Sequence, residues 1–495
     1  MDFSWSAPPT YEEVVRFFDS LIDYEKTKPQ RFHGETRESD LERFRNILTT
    51  IGNPQFHAPA FHIAGTKGKG STCAILTSIL TAAGLRTGLY TSPHLESYCE
   101  RLRVGGETIP PQEFAAHIAD LSRFVVSNTP PCAEGFRTVF ELLTACAFQY
   151  FRERNIDAAV IETGLGGRLD ATNVFQPRGL QDRPPLVNVI TTIGFDHTEI
   201  LGDTIEQIAG EKAGIIQSRA QVVVASQPLA YRETVKRIIR ARCEEVGASH
   251  AFFADEILEF RSIEPEENRQ AQPSQRALFT LSERGRNYLP GSELVDALSQ
   301  GLEIELGMPG LHQLENLRTA VVACIAAELA GACHVPPDAV KAGAKVVHWP
   351  GRFEILSHEP PVVVDGAHCE LSTRAMAETF SNLWGKRRVH VVFGLMQDKH
   401  IERILPALED RLSAVRFYCC TPPSPRGRHA EEVARVVETL IGVPAVAASS
   451  PEEAVELAWE SAAANGDAIL CFGSFYLVAP WIKALRQHLP THAEA

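Results

Sequence analysis

Short runs of β-branched and other apolar residues recur along the first half of the chain, at His62 to Ala64, Gly88 to Thr91, Ala158 to Glu162, Val187 to Thr191 and Val222 to Ala225, with helix-period stretches between them. Strands alternating with helices predict a mostly parallel α/β sheet, because parallel neighbours need long crossovers. Ahead of them, apolar positions at helical spacing (Val14, Val15, Phe17, Phe18, Leu21, Ile22, then Leu41, Phe44, Ile47, Leu48) predict two amphipathic helices around a polar loop from Lys26 to Ser39. From about Arg261 to Gly307 the pattern dissolves into Glu, Gln, Arg and Ser, which reads as irregular hairpins or an insertion. A helix follows from His312 to about Ala330, and Trp349-Pro350-Gly351 reads as a hinge. Fresh strands at Val362 to Asp365, Val389 to Phe393, Val415 to Cys420 and Ala468 to Phe472 alternate with helices such as Thr373 to Leu383 and Glu431 to Leu440. They predict a second, smaller Rossmann-like α/β domain, and the expected division is 1–349, carrying the insertion at about 261–307, and 350–495.

Composition narrows the class. With 495 residues and 44% hydrophobic content the chain can bury two or three cores. A net charge of −14 and the lack of any Lys/Arg-rich block argue against a nucleic-acid partner, so anionic ligands must be met by local sites. Eleven cysteines without a C-x-x-C pair, two of them adjacent in an apolar run at Cys419-Cys420, suit reduced thiols in a cytoplasmic protein, with no disulfides and no zinc expected. The opening Met1-Asp2-Phe3-Ser4-Trp5 has neither a basic nor an apolar region, and the most apolar long segment, Thr319 to Val335, is interrupted by Glu328; no signal peptide or membrane span is expected.

The strongest chemical signal is Gly65-Thr66-Lys67-Gly68-Lys69-Gly70-Ser71-Thr72, set between the apolar Ala60-Phe61-His62-Ile63 and the helix-like Cys73 to Leu80. A strand, a glycine-rich turn and a helix start make a phosphate cradle: backbone N–H groups approach the anion, the helix end adds partial positive charge, and Lys69 adds a full one. ATP is the expected ligand. The strict Walker spacing is not met, because Gly70 separates Lys69 from Ser71.

In open parallel sheets ligands collect beyond the carboxyl ends of strands. Three such ends carry polar groups: Ser92-Pro93-His94-Leu95; Glu162-Thr163-Gly164-Leu165-Gly166-Gly167-Arg168-Leu169-Asp170; and Asp196-His197-Thr198. Ser92 and Glu162 suit Mg²⁺ as oxygen donors, whereas His197 is a less usual magnesium ligand. Taken singly, Ser92 reads as a turn residue, Glu162 as a salt-bridged strand end and His197 as a structural hydrogen-bonder. Their joint arrangement, with glycines where backbone must approach a ligand closely, favours a site.

These residues resemble the folylpolyglutamate synthase/dihydrofolate synthase family of the Mur ligase superfamily. The resemblance spans nearly the whole chain and rests on G-T-K-G-K-G-S, Ser92-Pro93-His94-Leu95, Glu162 through Asn173, Asp196 through Gly202, and Glu211-Lys212-Ala213-Gly214-Ile215. It implies magnesium near Ser92, Glu162 and His197, two ions in all, nucleotide contacts from the loop 65–72, Asn316, Arg352 and Asp365, a carbamylated Lys212 holding the second magnesium, and a monovalent cation. By residue pattern alone, Lys212 sits in a charged run, Glu206 to Lys212, that reads as a solvated helix face. The resemblance also implies that Arg352 reaches the phosphates when the domains close, that His368 and Ser474 lie near an incoming glutamate, and that Thr138, Val139, Phe140, Glu141, Leu169, Asp170 and Ala171 help bind the pterin. Phe140 reads equally as the buried face of a helix. The chain departs from the family at Cys369, where Asn is usual after D-G-A-H, and carries Lys67, as eukaryotic members commonly do.

The implied activity is ATP-dependent addition of L-glutamate to reduced folate, and to dihydropteroate, through an acyl phosphate, with Lys69, Lys212, His197, Arg352 and His368 as the catalytic set. A monomer is expected. The alternatives are a peptidoglycan-type Mur ligase, disfavoured because only 64 residues precede Gly65, and a P-loop switch without ligase activity, for which no N-K-x-D guanine motif is present.

Overall fold

The computed structural model describes residues 5, 7–23, 34–124, 135–176, 184–249, 251–263 and 274–489. Two compact units emerge: most of the chain up to Val347, and His348–Ala495 together with Gly307–Gln313.

The first unit is built on β1 (Ala60–Ala64), β2 (Thr87–Tyr90), β3 (Leu102–Val104), β4 (Glu107–Thr108), β5 (Ala158–Glu162), β6 (Leu186–Ile190), β7 (Gln221–Val224) and β8 (Ala251–Phe253). Their spatial order is β4-β3-β2-β5-β1-β6-β7-β8. Along that order every pairing from β2 to β8 is parallel, while β2–β3 and β3–β4 at the edge run antiparallel. β1, β2, β5 and β6 are buried along their whole length, which is why they read as continuous apolar runs rather than alternating ones. The order places β2, β5, β1 and β6 side by side, so the loops after Tyr90, Glu162, Ala64 and Ile190 leave the same sheet edge as neighbours.

The two N-terminal helices are Tyr11–Phe18, closed by a Thr10–Glu13 capping box, and Gly34–Thr50. The second helix includes positions 34–39, expected in the polar loop; the rest of that loop up to position 33 lies largely outside the described residues. Phe17, Phe18, Phe44 and Leu48 enter the same core as Leu142, Phe148 and Phe151 of the helix Val139–Glu153.

The stretch expected to be irregular is instead regular wherever it is described. β9 (Leu258–Ile263), β10 (Gln275–Leu281) and β11 (Leu302–Leu306) form a three-stranded sheet, with helices Glu283–Tyr288 and Glu293–Gln300 between its last two strands. Ala277, Phe279 and Leu281 alternate with half-buried Arg276, Leu278 and Thr280, and Leu302, Ile304 and Leu306 alternate with two glutamates. The period of two was present, but charged residues on the open face masked it. Positions 264–273 lie outside the described residues.

The second unit carries β12 (Glu354–His358), β13 (Pro361–Val364), β14 (Arg388–Phe393), β15 (Ser413–Cys419), β16 (Ala445–Ala447) and β17 (Ala468–Phe472), in the order β12-β13-β17-β14-β15-β16. All pairs but β12–β13 are parallel. Among the described residues no helix is long and apolar enough to cross a membrane.

Candidate active site

The glycine-rich loop joins β1 to the helix Lys69–Ala82, whose N-terminus has no side-chain cap. Its first-turn N–H groups are therefore left for an outside acceptor, and Lys69 stands half-buried among them. Gly68 turns the chain at φ 88°, and a Cβ there would strike Asn316 Oδ1. The N–H groups of Thr66 and Lys67 donate to the Thr192 carbonyl at 2.9 and 3.1 Å, and Thr66 Oγ1 is 3.1 Å from the Gly194 carbonyl. These two residues, expected on the nucleotide, use their N–H groups to brace the loop onto the segment after β6, so the donors facing an anion begin at Gly68. Asn316, expected at an adenine, lies against Gly68 and 3.5 Å from the Thr72 hydroxyl.

Ser92 follows β2 and Glu162 ends β5, and because these strands are paired in parallel the Ser92 N–H donates to Glu162 Oε2 at 3.3 Å. A buried carboxylate next to a serine suits a hard cation. His197 follows β6 in the left-handed region, φ 51°, with its side chain 42% exposed. Its N–H donates to Asp196 Oδ1 at 3.0 Å, while Lys67 Nζ holds Asp196 Oδ2 at 2.9 Å. Among the described residues no three His, Cys, Asp or Glu side chains converge as a metal group. Of the expected metal set, the hydrogen bonds join Ser92 to Glu162 and place His197 beside Asp196.

Lys212 corrects the charge-pattern reading. Far from a solvated face, it is 4% exposed in the last turn of the helix Ile205–Ala213, with Nζ donating to the Gly65 carbonyl at 2.8 Å. Burial, then repulsion from Lys69, pushes its ammonium down to about 7. An unprotonated, nucleophilic fraction therefore exists at neutral pH.

Of the residues expected around a pterin, Phe140 packs against the loop after β5 at Gly164. The Phe140 ring sits where a Cβ on Gly164 would be, so only glycine lets the loop after β5 close onto it. Glu141 is another matter: it completes the capping box of Thr138, accepts from the Arg137 N–H at 2.9 Å and pairs with buried Arg43. Burial raises its pKa, with Arg43 opposing. Its carboxylate joins the helices Gly34–Thr50 and Val139–Glu153 through Arg43. Asp170 is likewise turned inward, accepting from Leu165 N–H at 2.8 Å and from Thr172 N–H and hydroxyl at 3.0 and 2.5 Å. Phe140, Leu169 and Ala171 are half-buried. Residue patterns had not singled out His62, Thr163 or Thr172, which hold this loop from below; a lone histidine in an apolar strand carries no signal beyond core.

In the second unit β13 and β17 are parallel neighbours, which brings Asp365 to His368 and Gly473-Ser474 to one edge. Asp365 accepts from the N–H groups of Phe353 and Ala367 at 2.7 and 2.6 Å, and burial, partly offset by Arg352, raises its pKa to about 6. The Arg352 guanidinium lies 5.1 Å from the Phe475 ring centre. His368 Nδ1 is 2.8 Å from the Gly366 carbonyl, which can only accept, so Nδ1 carries the proton and Nε2 is the basic nitrogen of the neutral ring. Among the described residues the buried Ser474 hydroxyl has no hydrogen-bond partner; it stands at the start of the helix Phe475–Leu485, which has no side-chain cap. Cys369 Sγ lies 3.3 Å from Ser372 Oγ and closes the first turn of the helix Glu370–Trp384.

Residues 63–324 match the model of the Mur ligase middle domain and residues 351–475 that of the Mur ligase glutamate ligase domain. The dihydrofolate synthase/folylpolyglutamate synthase of Bacillus subtilis is 32% identical over 452 residues, 90% of this chain and 95% of that protein. The structure of Mycobacterium tuberculosis folylpolyglutamate synthase complexed with ADP and AMPPCP superposes with a TM-score of 0.76 at 29% identity, covering 97% of this chain and 99% of that one. A bifunctional folylpolyglutamate synthase/dihydrofolate synthase solved with Mn, AMPPNP and L-glutamate bound gives 0.72 at 27% identity, over 98% and 100% of the two chains. With both Mur ligase domain models matched and 95% of the Bacillus subtilis enzyme covered at 32% identity, the chain belongs to the folylpolyglutamate synthase/dihydrofolate synthase family of Mur ligases.

Proposed function

We propose that this chain is an ATP-dependent ligase that joins L-glutamate to the γ-carboxylate of a reduced folate, and to the aminobenzoate carboxylate of dihydropteroate. The observation that carries the reading is the convergence of the phosphate loop, Ser92, Glu162 and the Asp196-His197 loop on the carboxyl ends of adjacent strands β1, β2, β5 and β6.

An amine does not displace hydroxide from a carboxylate in water, so the carboxylate is first activated. Its oxygen attacks the γ-phosphorus of ATP, the bond to ADP breaks, and an acyl phosphate forms; Lys69 and the N–H groups from Gly68 onward stabilise the charge on the transferring group. Ser92, Glu162 and His197 would hold Mg²⁺, which when bound neutralises phosphate charge and polarises the phosphoryl oxygen. The unprotonated Lys212 amine adds to CO₂ and loses a proton, giving a carbamate anion suited to a second ion. The α-amine of glutamate then attacks the acyl carbon, phosphate leaves, and His368 Nε2 accepts the amine proton. The Ser474 hydroxyl and the uncapped helix start behind it offer donors to a glutamate carboxylate, Arg352 offers charge to phosphate, and Phe140, Leu169 and Ala171 offer a flat apolar face to the pterin. The reading makes the protein a cytoplasmic monomer acting on small molecules.

The test is incubation of the purified protein with Mg²⁺-ATP and L-glutamate plus tetrahydrofolate, dihydropteroate or neither, with products read by mass. A glutamate-shifted folate is expected, and a shifted pteroate alongside it. ATP cleavage that ignores both pterins, with no shifted product, overturns the folate assignment.

A further inference from the structure

His62 sits in the middle of β1, paired in register with Ile161 of β5 and Asn188 of β6, and is completely buried. Its Nε2 lies 2.8 Å from Thr172 Oγ1 and 3.1 Å from Thr163 Oγ1, the two threonines that bracket the loop after β5. The Thr172 hydroxyl has one proton, which goes to Asp170 Oδ1 at 2.5 Å. Toward His62 it can therefore only accept, so Nε2 must carry the imidazole proton. Nδ1 is then a bare acceptor, buried with no hydrogen-bond partner among the described residues. Burial holds the ring neutral, its pKa pushed down to about 3.

A side chain that merely filled this space would not be a histidine, because leaving a buried acceptor unpaired is unfavourable. What the ring supplies is one N–H donor at a fixed height under the loop. That donor orients the Thr172 hydroxyl, which orients Asp170, whose other oxygen receives the Leu165 N–H at 2.8 Å. A continuous chain of hydrogen bonds thus runs from the centre of the sheet to the loop 163–173, whose Gly164 meets the Phe140 ring. The phosphate loop leaves the same strand three residues beyond His62 but shares none of these bonds.

We infer that His62 is a positioning residue for the acceptor substrate: through its Nε2–H and the Thr172–Asp170 pair it fixes the loop that forms the folate-side wall, by hydrogen bonds in which no phosphate-loop residue takes part. The inference rests on the proposed function for the identity of that substrate, and on the geometry alone for the loop.

Two variants separate donor from bulk. Glutamine at this position places an amide N–H near the Nε2 position, whereas methionine matches size without a donor. In His62→Met, KM for folate or dihydropteroate is expected to rise about tenfold, the ratio set by loss of one ordinary hydrogen bond, with KM for ATP unchanged, and His62→Gln is expected to restore most of it. Hydrogen exchange of the Leu165 and Thr172 amides, which needs no substrate, is expected to quicken in His62→Met and not in His62→Gln. Should His62→Met not fold, Thr172→Val is the second variant, with the same split in KM and the same exchange at Leu165. Exchange unchanged in a folded donor-less variant, or KM for ATP and folate rising together, overturns the inference. A wild-type protein inert toward every pterin would refute the proposed substrate instead, while the exchange result still decides the role of His62.

Discussion

Lys212 Nζ donates a 2.8 Å hydrogen bond to the carbonyl oxygen of Gly65, so a buried lysine grips the first residue of the phosphate loop. With its pKa near 7, the amine gains its reactive form as pH rises through neutrality. Protein stripped of CO₂ should lose turnover and regain it on addition of bicarbonate, and the recovery should be faster at pH 8 than at pH 6. Lys212→Arg, whose guanidinium stays charged, should give no response to bicarbonate and turnover reduced about 10²- to 10³-fold, the usual loss when a charge-stabilising group is removed. Bicarbonate-independent activity in the wild type would exclude the carbamate.

Glu141 offers a clean separation of substrate contact from scaffold. Removing it leaves Arg43 buried with Asp40 as its one ion-pair partner among the described residues, so Glu141→Ala should lower stability by about 3 kcal/mol, the scale for breaking a buried pair. KM for folate in the folded fraction should stay within about twofold, since uniform binding is untouched. Phe140→Ala should do the reverse, with a small stability loss and a raised folate KM. Denaturant melts and initial rates on the two variants decide between the roles.

How much of this was legible beforehand depended on the range of the interaction. The strands of both parallel sheets stood out because burial on both faces makes them apolar runs, and the phosphate loop because its glycines and lysines are local. The order β2-β5-β1-β6 was not legible, since it pairs residues about a hundred positions apart, such as Ile63 with Glu162. Lys212 read as solvated because its neighbours in sequence are charged, while its neighbours in space, Gly65 and Asp170, are not adjacent in the chain. The sheet of β9 to β11 was missed because Arg276, Glu303 and Glu305 alternate with its buried residues. The Arg43–Glu141 pair was not legible because its partners lie 98 positions apart.

The Lys67–Asp196 pair joins the phosphate loop to the residue before His197, and the second Asp196 oxygen holds the His197 N–H. Lys67→Met should cost about 1.5–3 kcal/mol, the worth of a hydrogen bond to a charged group. If the pair sets where His197 stands, the concentration of Mg²⁺ for half-maximal rate should rise while KM for folate does not. A change confined to KM for ATP would assign Lys67 to the nucleotide directly.

Asp365 predicts a stability profile of definite sign. In the unfolded chain its carboxyl titrates near 3.8, and in the folded protein, where burial is the main cause, near 6. Between these values the folded state holds a proton that the unfolded state has released, so this group's contribution is greatest below about pH 4 and is lost as pH rises to about 6, by roughly 3 kcal/mol in all. Asp365→Asn removes the titration. Its single oxygen can accept from only one of the Phe353 and Ala367 N–H groups, so the variant carries a pH-independent penalty of about 1–3 kcal/mol in exchange. Denaturant melts at pH 4, 5, 6 and 7 should therefore show the wild-type protein ahead of the variant at pH 4 and losing that lead by pH 6. A constant difference across the series would mean that Asp365 is ionised throughout, with Arg352 rather than burial governing its proton.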